Sequence, residues 1–116
     1  MVAILVLASS AWPGRWGVLS GELDLSPAGS AQELEECDSL GQRCWRVDAG
    51  PEATISALAD ELRQLDVVVD EVDCSERGDS CLLRGTHGRA HVSSVVFADS
   101  PDAVSSGPSL LYLDWE

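Results

Sequence analysis

One segment restricts the fold more than any other. Between Pro51 and Leu65, the apolar residues Ile55, Leu58, Ala59, Leu62 and Leu65 recur at helical spacing. Pro51 suits the first helical position, and Glu52 complements the positive end of the helix dipole. The spacing predicts an amphipathic helix over 51–65, with Asp66 ending it. Such a helix must bury its apolar stripe against another layer. Most of the remaining chain reads as short apolar or alternating runs broken by Gly, Pro, Asp and Ser, which is strand and turn chemistry.

Those runs set the expected element order. Residues 2–8 are continuously apolar, the pattern of a strand covered on both faces, and are read as a buried first strand rather than a leader segment. Residues 18–25 alternate Leu23 and Leu25 against Glu22 and Asp24, a second strand. Ser30 followed by Glu33 fits a capping box, and Leu34, Cys37 and Leu40 then share a helical face up to Gly41, predicting a short helix over 31–40. Residues 42–48 form a strand with Cys44, Arg46 and Asp48 on one side and Trp45 and Val47 on the other. Further strands are expected over 67–72, 80–84, 90–98 and 109–115, the last with Leu111, Leu113 and Trp115 on one face. The reading is one domain over 1–116, α/β or α+β. It has a mixed β-sheet, two helices (about 31–40 and 51–65), parallel crossovers between 30 and 72, and antiparallel strands in the C-terminal half.

Residues 33–69, including Leu40-Gly41-Gln42-Arg43 and Arg46-Val47-Asp48, resemble the third-strand, helix, fourth-strand segment of short-chain dehydrogenases and polyketide ketoreductases. The resemblance covers about a third of the chain and implies a related crossover topology. It does not carry the activity. Ala11-Trp12-Pro13-Gly14 stands where that family has a glycine-rich dinucleotide turn, and its Tyr-x-x-x-Lys pair needs a lysine that this chain lacks. No cofactor is expected.

Charge separates the function classes. Aspartate and glutamate total 20 against 7 basic residues, all arginine, for a formal net charge of −13. Phosphate backbones and anionic membrane faces would be repelled, so neither nucleic acid nor membrane is expected as a direct partner. No apolar stretch approaches the ~20 residues of a membrane span. Chemistry that requires a lysine amine is excluded. Residues 30–80 hold fourteen of the acids against four arginines. This central excess predicts an acidic patch that meets a basic protein surface, as in inhibitor or immunity-type proteins, or in mimics that occupy a nucleic-acid-binding groove. The residues expected there are Glu33, Glu35, Glu36, Asp60, Glu61, Asp70, Glu71, Asp73, Glu76 and Asp79, joined by the loop residues Trp12, Arg15 and Trp16. Two other readings stand beside it. One is a small enzyme or ligand-binding domain using the Trp12–Trp16 loop. The other is an assembly component whose acidity reflects an acidic host proteome.

Four cysteines fall in two segments of one skeleton, Cys-x3-Gly-x2-Cys, at Cys37/Cys44 and Cys74/Cys81. A Cys74–Cys81 bridge could close a hairpin over its turn glycine. Free, buried thiols and a cytoplasmic location are the expectation, because reduced cysteine is a common core residue. Cys74, Cys81, His87 and His91 form a conceivable zinc set, although its cysteine spacing is too wide for a zinc knuckle. Arg77-Gly78-Asp79-Ser80 is the tetrapeptide that integrins read, and its Gly-Asp is also ordinary hairpin-tip chemistry.

Overall fold

Six strands and one long helix make up the described part of the chain. The structure, a computed structural model, describes Leu19 and residues 21–38, 40–104 and 106–116. In chain order these are β1 (Ala31–Glu33), β2 (Arg43–Val47), α1 (Pro51–Gln64), β3 (Val68–Cys74), β4 (Ser80–His87), β5 (Ala90–Ala98), a 3-10 turn (Pro101–Ala103) and β6 (Ser109–Trp115). The expected strand over 2–8 lies outside the described residues.

The sheet order is β1-β2-β6-β5-β4-β3, and every neighbouring pair is antiparallel. Counting directions across it, β2 and β3 run the same way but are separated by β6, β5 and β4. Helix α1 therefore carries the chain over one face of the sheet from near one edge to the opposite edge. The meander β3-β4-β5-β6 then walks back until β6 pairs with β2. This corrects the expected parallel pairing. A crossover exists, but its two strands are not neighbours, and the resemblance to dehydrogenase topology ends there.

The 31–40 helix is a second correction. Ala31, Gln32 and Glu33 pair with Val47, Arg46 and Trp45 as a short edge strand, and Leu34 N–H donates to the Cys44 carbonyl. Cross-strand pairing and a covalent tie from Cys37 outweigh the local capping signal. Residues 21–25 hold no strand; Leu23 and Leu25 are nonetheless buried with Leu19 in the core.

Strand alternation decides what faces α1. Trp45 and Val47 of β2, Leu83 of β4, Val92 and Val96 of β5, and Leu111 and Leu113 of β6 pack with Ile55, Leu58, Ala59 and Leu62 of the helix. Burying one such leucine contributes roughly 1.5–3 kcal/mol. The two buried serines of the sheet are satisfied, Ser94 Oγ donating to the Tyr112 carbonyl at 2.7 Å and Ser109 Oγ to the Ala49 carbonyl at 2.6 Å, whereas Thr54 Oγ1 of α1 is buried with no partner among the described residues. No helix among the described residues is long and apolar enough to cross a membrane.

Candidate functional site

The register places the opposite face, which α1 does not cover, residue by residue. Pairings of Arg46 with Leu110, Leu110 with Phe97, and Phe97 with Ser80 define one row across the sheet. The next row reads Cys44, Tyr112, Val95, Leu82, Asp73, and the one after it Asp114, Ser93, Arg84, Glu71. Half-buried Leu82, Val95 and Leu110 thus surround exposed Phe97 in a contiguous apolar patch on this face, with Tyr112 buried beside them. Phe97 is 40% exposed, and its ring meets Tyr112 edge-on at 6.3 Å between centroids. Polar groups frame the patch: the Arg46–Asp99 pair (3.0 Å) at one end, Asp114 and the Arg84–Glu71 pair (3.3 Å) at the other, and Asp73 at the β3 side. A shallow depression of about 350 Å³, lined by Asp73, Leu82, Val95 and Phe97, lies within it.

The acidic residues expected to form one patch lie in separate places. Glu33 is on β1, with Glu35 and Glu36 in the loop that follows. Asp70, Glu71 and Asp73 are on β3, and Glu76 and Asp79 are in the turn after it. These two strands are the outer edges of the sheet, five strand spacings or ~24 Å apart. Asp60 and Glu61 lie on α1, in the other layer. Trp12, Arg15 and Trp16 lie outside the described residues.

Glu33 is engaged structurally. Arg43 donates from Nε and Nη2 to its two carboxylate oxygens (2.8 and 2.7 Å), and from Nη1 to the carbonyls of Leu19 and Gly21 (2.7 and 2.6 Å). The guanidinium also lies 4.8 Å from the Trp45 ring centre. The bond from Arg43 holds the Glu33 carboxyl below the ordinary glutamate range, against a smaller opposing effect of burial. Asp60 pairs with Arg63 at 3.3 Å. Glu61 accepts from the Asp24 backbone N–H at 3.1 Å. At the β3 edge only Glu71 has an arginine partner among the described ion pairs, while Asp70, Asp73 and Glu76 have none.

Both cysteine pairs are closed disulfides, Cys37–Cys44 and Cys74–Cys81, and no cysteine is free. This corrects the expectation of reduced thiols. Cys74 and Cys81 face each other across the β3–β4 hairpin, and Cys37–Cys44 pins the 34–42 loop to β2. The zinc set is overturned with them: two of its ligands are oxidised, and His87 is at the far end of β4 from Cys81. Among the described residues no group of three His, Cys, Asp or Glu side chains could hold a metal ion.

Arg77-Gly78-Asp79 shapes the hairpin tip. Gly78 has φ +73°, a conformation that favours glycine, and it is buried beside Glu52 of α1. Ser75 Oγ donates to Asp79 Oδ1 at 2.6 Å, and this bond is the main reason the Asp79 carboxyl titrates below its ordinary value. His87 Nδ1 lies 3.2 Å from the Asp66 carbonyl. Among the described hydrogen bonds none joins a serine or cysteine nucleophile to a histidine.

Sequence reasoning missed the open-face patch. Its signal was present in Val95-Val96-Phe97 and in Leu110-Leu111-Tyr112-Leu113, which are apolar at both parities and so supply apolar side chains to both faces of the sheet. Comparison with protein-family models, curated proteins and solved structures returns no match.

Proposed function

We propose that this chain is a non-enzymatic, disulfide-stapled binding domain that docks a basic protein on the face of its sheet opposite α1. The observation that carries this reading is the apolar patch centred on Phe97, bordered on one side by the under-compensated acids of β3. A desolvated aromatic centre with a charged rim is the pattern of an interface in which a few residues supply most of the affinity and the charges steer approach. The partner is cationic by complementarity, since a net charge of −13 opposes both self-association and acidic partners. Inhibition of a nucleic-acid-binding protein is one form this could take. Two closed disulfides favour an oxidising compartment over the cytoplasm.

The test is affinity capture from the source cells with wild type and Phe97→Asp, each at low and high salt. Wild type should retain a basic protein that high salt releases and that Phe97→Asp does not hold. The added aspartate would favour a purely electrostatic contact, so its failure reports on the apolar centre. A retained protein indifferent to both changes, or none at all, would discard the proposal.

A further inference from the structure

We infer that the free edge of β3 accepts an added strand from the basic partner, and that this strand alternates cationic and apolar residues. The inference rests on the reading above for the charge of the partner, but uses the main-chain edge of β3 that adjoins the patch. The two sheet edges are unlike. β1 is three residues long, whereas β3 is seven and, among the described residues, is paired on one side only. An edge of that length is a template for main-chain pairing unless something guards it. The register shift between Val69 and Glu71 interrupts the N-terminal part. Residues 71–74 are regular, pair in sequence with Arg84, Leu83, Leu82 and Cys81, and are clamped at their end by the Cys74–Cys81 disulfide. This short stretch is therefore held ready for pairing.

Its side chains specify what can pair there. Glu71 and Asp73 project to the face opposite α1, and Val72, 43% exposed, projects to the α1 side. A strand laid alongside places its own residues in the same alternation. Positions beside Glu71 and Asp73 would carry Lys or Arg, and the position between them an apolar residue that covers Val72. Asp73 faces Leu82 within the sheet and Glu71 already faces Arg84, so the cation beside Asp73 makes the larger difference. A second copy of this chain is rejected at the same edge, because pairing β3 with β3 brings these acids together.

The experiment uses the intact, oxidised protein and a ten-residue peptide alternating lysine and valine. Its controls are the same peptide N-methylated at alternate amides and a glutamate–valine counterpart. Binding is followed by calorimetry and by amide hydrogen exchange. The lysine–valine peptide should bind and slow exchange within residues 71–74. N-methylation keeps the charge but removes main-chain donors, and should weaken binding about tenfold or more. The glutamate peptide should not bind. Equal binding of the methylated and unmethylated peptides would overturn strand addition while leaving a basic partner in place, and absence of binding would overturn it outright. Peptide binding reads the β3 edge, whereas partner capture by wild type against Phe97→Asp reads the apolar patch, so failure of the patch reading and failure of strand addition are separable.

Discussion

Gly85 is buried on β4, opposite the bulge of β3, and has no room for a side chain. A Cβ there would lie 2.6 Å from the Val68 carbonyl oxygen and 3.3 Å from Val67 Cγ1. Both neighbours belong to the strand entry, so relief requires backbone movement. Gly85→Ala is expected to cost about 1–3 kcal/mol in urea unfolding, against less than about 0.5 kcal/mol for Ser93→Ala on the exposed face. The Glu33–Arg43 pair gives a different signature, one that depends on pH. Its folded-state carboxyl is depressed, so the stability it contributes is present above the ordinary glutamate value and is lost as the pH falls through the lowered one. The two-pronged geometry and the partial exposure of Glu33 put its contribution at about 1 kcal/mol. Wild type should exceed Glu33→Gln by that amount at neutral pH. The gap should begin to close near pH ~4 and disappear in stronger acid. A gap independent of pH would show that the amide, not the charge, is what matters.

At the level of elements, legibility followed how local the deciding physics was. Helix α1 was readable because Pro51, Glu52 and the spacing of Ile55, Leu58 and Leu62 all act within a few turns. The limits of β5 and β6 were readable because turn residues bound them on both sides. Residues 31–40 were misread because Ser30 and Glu33 do form a helix-start pattern, while the competing pairing to residues 45–47 and the tie from Cys37 to Cys44 are not local. The disulfides themselves could not be chosen from spacing, since the same two segments suit buried thiols equally well. Each bridge spans a separation of 7 residues. Loop closure of that length implies about 2–3 kcal/mol per bridge. Replacing Cys74 and Cys81 together by serine should lower the unfolding midpoint accordingly yet leave the β3–β4 pairing, since the strands are paired along their length. Replacing Cys37 and Cys44 should cost a similar amount and also loosen the 34–42 loop, which among the described residues is tied to the sheet by backbone bonds at its ends, Leu34 to Cys44 and Gln42 to Leu113. Hydrogen exchange would report this as faster amides in the loop and unchanged amides in β3. Uniform loss of protection in both variants would contradict the division.

For the molecule as a whole, the acidic total was plain from the sequence, but its spatial meaning was not. Glu33 and Asp73 are 40 positions apart in the chain and lie on opposite edges of the sheet, a fact set by the crossover of α1 and the returning meander. Of the expected acidic site, the β3 portion borders the apolar patch, and Glu33 of β1 serves internal structure through Arg43. The net charge still acts on the entire fold, with opposite consequences for the free and bound protein. In the free protein, carboxylates repel one another. Added salt screens that repulsion as the Debye length falls from ~30 Å at 0.01 M to ~8 Å at 0.15 M, so the folded state should gain stability. In a complex with a basic partner the same screening removes attraction, so affinity should fall. Urea is the suitable denaturant, because guanidinium is itself a salt. The expected result is a urea midpoint that rises with sodium chloride while the dissociation constant of the complex rises over the same range. A midpoint that falls with salt would mean that the four arginine–carboxylate pairs outweigh the uncompensated acids. The β3 edge would then lack the field that the proposed recognition requires.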